Sequence, residues 1–184
     1  IEKTDVREIG KYLGVRAYAK KDSQEICFVE DGKLKEFLIE KTDGKIAKEG
    51  NIVDTNGKVL GKHMGLAFYT IGQRKGLGIS FSKPMYVLSK NIEDNSVVLG
   101  DNEDLFLKTL NVTDVNWIYY ENPPIEFNGK VKIRYNQKEQ EATIKVIDRK
   151  NISVEFLKPQ RAIAKGQSAV VYFDDYVVCG GIIV

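Results

Sequence analysis

At 184 residues, with 42% hydrophobic content, the chain is long enough for one or two small domains with cores of their own. No apolar run approaches the ~20 residues needed to span a bilayer, and no signal peptide opens the sequence, so no membrane partner is expected. The net charge of +2 neither demands nor excludes a nucleic-acid partner; two cysteines without close spacing give no disulfide framework or zinc pattern and fit a cytoplasmic location, and a lone histidine argues against a His-rich metal site or a Ser/His/Asp hydrolase.

The opening segment reads as a short helix. Thr4 can cap it, Asp5 suits its first turn, Val6, Ile9 and Leu13 fall at helical spacing, and Gly14 stops it. A helix this short is marginal alone and needs a surface to pack on. Residues 33–40 carry Leu34, Phe37 and Leu38 on one face of a second helix. Residues 51–54 and 58–60 flank Thr55-Asn56-Gly57, and an Asn-Gly step between apolar runs is a strong hairpin signal. The single histidine, His63, follows this hairpin and reads as a surface residue. Residues 66–71 fit helix and strand equally well. A second hairpin is expected from residues 85–90 and 96–99, turning near Glu93-Asp94-Asn95, and the pattern breaks at 101–108.

Beyond residue 110 alternation dominates. Leu110, Val112 and Trp117 mark one strand region. Val131, Ile133 and Tyr135 alternate with Lys130, Lys132 and Arg134. Ala142, Ile144 and Val146 follow, then Ile152, Val154 and Phe156, then residues 169–173 and 176–179. Five or six short strands with polar turns indicate an antiparallel barrel or sandwich. The expected fold class is mainly β with short N-terminal helices: a small α+β central domain, then an antiparallel β-barrel domain. The expected divisions are 1–30, 31–104 and 105–184.

Two stretches offer chemistry, and the second cysteine is set beside them. Cys27 stands in Lys20-Lys21-Asp22-Ser23-Gln24-Glu25-Ile26-Cys27-Phe28. Cations near a thiol favour the reactive thiolate, but this stretch alone reads first as a small buried hydrophobe, because free cysteine is among the most buried residue types. Cys179, in Val177-Val178-Cys179 beside glycines, reads as core. Gly72-Gln73-Arg74-Lys75-Gly76-Leu77-Gly78-Ile79 matches neither the Walker nor the Rossmann spacing. Its glycines permit close backbone approach, and Arg74 and Lys75 can meet phosphates or simply be solvated.

Taken together, residues 21–28, the run Gly65-Leu66-Ala67-Phe68-Tyr69-Thr70-Ile71 with the glycine-rich stretch after it, and Gly166-Gln167-Ser168-Ala169-Val170 resemble the bacterial tRNA-specific 2-thiouridylases, the MnmA family, in that family's order. The resemblance runs through the whole chain and implies the barrel. Family members begin with an ATP-binding pyrophosphate-loop domain marked by Ser-Gly-Gly-x-Asp-Ser, which is absent here, and the sequence opens on Ile1; the expectation is a C-terminal portion that binds no ATP or other cofactor itself. The resemblance implies that Cys27 carries sulfur as a persulfide, with a second cysteine in the ATP-binding domain completing transfer through a disulfide. It places Arg134, Tyr135 and Gln167 in contact with tRNA, and Arg74 and Lys75 near the tRNA or the active centre. The partners it implies are tRNA and a cysteine desulfurase or sulfur-relay protein. A non-catalytic RNA-binding barrel is the rival reading: it explains the strands and basic patches but not the Asp-Ser-x-x-Ile-Cys-Phe context.

Overall fold

The computed structural model describes residues 1–19, 29 and 32–184, in two compact units, 1–45 and 46–184. In the first unit α1 spans Lys3–Tyr12 and α2 spans Leu34–Lys41. The cap of α1 is Glu2 rather than Thr4: the Glu2 N–H donates to Asp5 Oδ2 at 3.2 Å, so Asp5 closes the first turn from inside it. Gly14 adopts φ +67° just past the helix end, as its position suggests. Neither helix buries a residue within the described structure. Val6, Ile9, Leu13 and Val15 are between 49% and 67% exposed.

The second unit holds a four-stranded sheet and a barrel. β1 (Gly50–Asp54) and β2 (Val59–His63) form the expected hairpin, and Gly57 takes φ +82° in its turn, a conformation in which glycine has no Cβ to clash. β3 (Tyr86–Asn91) and β4 (Ser96–Gly100) form the other hairpin. The sheet order is β2-β1-β4-β3, because β1 and β4 pair in parallel and join the two hairpins through their inner strands. Residues 66–71, ambiguous in sequence, form a short 3₁₀ turn at Leu66–Phe68 and then irregular chain. Leu66, Phe68, Tyr69, Ile71, Leu77 and Ile79 cover the buried Ile52, Val87, Val97 and Leu99.

His63 departs from the sequence reading. It is fully buried, not at the surface. Its Nδ1 accepts the Gly65 N–H at 3.0 Å and its Nε2 lies 3.0 Å from the Asn95 carbonyl. The neutral tautomer with hydrogen on Nε2 satisfies both contacts. The ring therefore ties the end of β2 to the turn between β3 and β4.

The remaining strands close a barrel: β5 (Phe106–Trp117), β6 (Glu126–Lys132), β7 (Gln140–Val146), β8 (Ile152–Arg161), β9 (Ser168–Phe173) and β10 (Tyr176–Ile183), in the order β10-β5-β8-β7-β6-β9. Every barrel pairing is antiparallel. The alternation read from sequence points inward as expected, with Ile144, Ile152, Val154, Phe156 and Val171 at the centre. Strict alternation fails at bulges. Val178 and Cys179 are adjacent yet both fully buried, because the β9–β10 register shifts between Val177 and Cys179. One barrel end is closed by rings: Trp117, Tyr120, Phe127 and Phe173 meet edge-on or tilted, with centroids 5.6 to 6.4 Å apart. The candidate RNA residues lie at the other end.

Candidate nucleic-acid interface

At that end the loop after β6 and the loop before β9 come together. Lys132, Arg134, Tyr135, Gln167, Ser168 and Tyr172 line a groove of about 510 Å³. Three residues singled out in the sequence, Arg134, Tyr135 and Gln167, thus share one site. No carboxylate lines it.

The turn that carries Arg134 and Tyr135 is held from both sides. β6 stops at Lys132, and the Gln137 N–H donates to the Arg134 carbonyl at 3.2 Å. Alternation alone would allow Tyr135 to be a core residue. The early strand end turns it out instead, and it is 91% exposed. Lys132 Nζ sits 5.8 Å from the centre of its ring, on one face. Gln137 Nε2 donates at 2.8 Å to Oε1 of the buried Gln160, whose Nε2 donates at 2.7 Å to the Lys158 carbonyl. The Arg134 guanidinium donates to the Ala162 carbonyl. Ala162 is itself buried, at φ +55°, and its N–H donates to Leu105 O at 2.7 Å. An aromatic ring on a turn fixed this way loses little freedom when a flat partner stacks on it.

Gln167 is fixed by its backbone. Its carbonyl accepts the Ile183 N–H and the Gly166 N–H donates to the Ile183 carbonyl, both at 2.8 Å. Its exposed side-chain amide has no hydrogen-bond partner among the described residues, leaving donors and an acceptor for a ligand.

The glycine-rich stretch is built as a brace. The Gly72 N–H donates to Val87 O at 2.8 Å, and the Gln73 carbonyl accepts the Val87 N–H at 3.0 Å, so the stretch extends the edge of β3. Gln73 also bonds Thr70 N and Lys75 O through its side chain. The Gly72 and Gln73 N–H groups are thus engaged internally and are not presented to a phosphate. Gly72 lies against Ala162: a Cβ there would fall 2.9 Å from the Ala162 Cβ and 3.3 Å from Arg161 Nη1. The root of the loop thus abuts the residue that holds Arg134. Arg74 and Lys75 are exposed and lie outside the groove.

Gln137, Gln160 and Ala162 were invisible to sequence reasoning, because their partners lie 23 and 28 residues away and carry no local pattern. Cys27 lies outside the described residues. Cys179 sits in the barrel core as its sequence context suggests, fully buried, and burial pushes its thiol up to about 12. Iodoacetamide applied to the folded chain at neutral pH is therefore expected to leave the Cys179 peptide unmodified until denaturant is added. Peptide mass spectrometry checks this, and native labelling of Cys179 would contradict the closed barrel.

Comparison with known proteins bears on the whole chain. A family model described as tRNA methyl transferase PRC-barrel domain matches residues 35–101, and one described as aminomethyltransferase beta-barrel domain matches residues 107–183. A tRNA-specific 2-thiouridylase MnmA of Clostridioides difficile is 50% identical over 182 residues, 99% of this chain. The chain belongs to the MnmA family. MnmA of Clostridium kluyveri is 46% identical over 99% of the chain, and MnmA 1 of Fusobacterium nucleatum is 48% identical over all of it. The chain spans about half the length of these MnmA relatives, 50% to 51%. Among the described residues no helix is long and apolar enough to cross a membrane.

Proposed function

We propose that this chain supplies the RNA-docking barrel and the sulfur-carrying cysteine of a cytoplasmic tRNA-uridine 2-sulfurtransferase. The observation that carries the reading is the convergence of Arg134, Tyr135 and Gln167 in one acid-free groove of an MnmA-family barrel. In this reading residues 105–184 dock tRNA, residues 31–104 form the central domain, and residues 1–30 carry Cys27. Tyr135 stacks on an unpaired base, Arg134 meets phosphate with the donors that the Ala162 carbonyl leaves free, and Gln167 pairs with a base edge or a ribose hydroxyl. Arg74 and Lys75 meet the RNA beside the groove.

ATP belongs to a domain outside this chain, where it would activate the C2 oxygen of the wobble uridine, position 34, as an adenylate. Cys27, loaded by a cysteine desulfurase or a sulfur-relay protein, holds the outer sulfur as a persulfide. That sulfur attacks C2 and AMP leaves. A second cysteine thiolate then attacks the Cys27 sulfur, releasing the 2-thiouridine and leaving a disulfide. By this reading the isolated chain neither binds ATP nor thiolates tRNA alone.

Fluorescence anisotropy with a tRNA transcript tests the docking half. The unaltered chain is expected to bind, and Tyr135→Ala to weaken binding about tenfold, in line with ~1–3 kcal/mol per stacked base. Gln167→Ala is expected to weaken it less. An unaltered affinity for Tyr135→Ala, or no binding by the unaltered chain, would sink the reading.

A further inference from the structure

Arg134 borders a second cleft. On its far side the start of β5, the 134–140 turn and the end of β8 enclose about 540 Å³, lined by Arg134, Gln137, Gln140, Lys158, Gln160 and Arg161 among others. This cleft also lacks a carboxylate. None of Arg134, Lys158 and Arg161 is ion-paired among the described residues. The larger groove on the barrel's flank, about 650 Å³, is different in kind. There Lys108 and Lys130 are paired with Glu155 and Asp174, each at 3.6 Å, so its charge is cancelled locally. Two adjoining clefts of one sign focus a field for a polyanion, which a neutralised groove cannot do.

Arg161 is already held in place. Its Nε donates to Asn102 Oδ1 at 3.2 Å and its guanidinium carbon stands 5.4 Å from the centre of the Tyr86 ring. Those contacts use one of five donors and fix the plane of the fork. Lys158 is exposed, three residues before it on the same strand.

We propose that this second cleft is a phosphate-binding extension of the RNA site: Arg161 and Lys158 hold the sugar-phosphate backbone of the RNA whose base and ribose edges meet Tyr135 and Gln167. The inference rests on the RNA-docking reading and adds to it a second set of contacts, electrostatic and independent of sequence. Arg134, on the shared wall, links the two.

Salt titration separates the two sets. Affinity for a tRNA transcript is measured across a range of salt concentrations for the unaltered chain, Lys158→Gln, Arg161→Gln, the double variant and Tyr135→Ala. Removing the cation from one phosphate lowers the slope of log K against log salt by about 0.7–0.9. Lys158→Gln is expected to lower the slope by one such step, the double variant by two, with affinity at low salt down about tenfold or more. Tyr135→Ala is expected to weaken binding with the slope unchanged. Lys145→Gln, which removes a cation 3.9 Å from Glu126 toward the ring-closed end of the barrel, should change neither. Arg161 is packed, so its variant is accompanied by a thermal melt; Lys158 is exposed, and its variant stands without that concern. An unchanged slope for Lys158→Gln and for a folded Arg161→Gln overturns the second cleft while leaving the Tyr135 groove standing. No binding by the unaltered chain overturns both.

Discussion

A Cys27→Ser chain is expected to take up no sulfur while binding tRNA as tightly as the unaltered chain. The test incubates each with a cysteine desulfurase, a sulfur-relay protein and cysteine, then reads the cysteine peptides by mass spectrometry. The unaltered chain should gain one sulfur atom on the Cys27 peptide. Two arguments make the loss complete. Lys20 and Lys21 stand close in sequence to Cys27, and cations favour the thiolate that accepts sulfur. The other thiol, Cys179, is fully buried in the barrel and pushed up to about 12, so it is neither reachable nor ionised near neutral pH. Affinity for tRNA is retained because Arg134, Tyr135 and Gln167 are untouched. Sulfur on Cys179, or sulfur on the serine variant, would overturn the assignment. An unaltered chain that stays unloaded even with the ATP-binding half supplied in trans would favour the rival reading, a non-catalytic RNA-binding barrel.

His63→Ala is expected to destabilise the second unit by about 3 kcal/mol. The substitution empties the volume of a fully buried ring and strands two backbone groups at once, the Gly65 N–H and the Asn95 carbonyl. Deleting a large buried side chain costs ~2–5 kcal/mol, and an orphaned buried polar group ~1–3 kcal/mol where relaxation cannot rescue it. The edge-on packing against Tyr69, ring centroids 5.8 Å apart, disappears as well. For a unit of this size the melting midpoint should fall by about 10 °C. Lys62→Ala, one residue earlier and exposed, should stay within ~0.5 kcal/mol of the parent chain. Equal stability of His63→Ala and the parent would show that the ring does not clamp the sheet.

His63 also shows where reading the sequence stops. A single histidine after a hairpin carries no period and no neighbour that reveals its partner, and Asn95 is 32 residues away. Tyr135 teaches the same lesson in reverse. Alternation through Val131 and Ile133 would have allowed it a place in the core, but β6 ends at Lys132 because the next turn is bonded to Gln160 and Ala162. The groove residues could be named from sequence only through family resemblance, whereas their convergence depends on contacts between β6, β8 and β9.

What the sequence determined by itself is what local chemistry encodes. Asn56-Gly57 set one hairpin, because glycine accepts the positive φ the turn requires. Alternation at 142–146 and 152–156 set inward-facing strands, because side chains on a strand point to opposite faces in turn. The shielded position of Cys179 followed from its apolar run. Tertiary structure alone decided the parallel pairing of β1 with β4, the closure of β10 on β5, the bulge that buries both Val178 and Cys179, and the acid-free clefts around Arg134. Apart from the bulge, which lies within the β9–β10 hairpin, each joins residues tens of positions apart. Pairing of that kind is fixed by which surfaces fit and which hydrogen bonds can be completed once the strands have assembled, and no window of neighbouring residues records it.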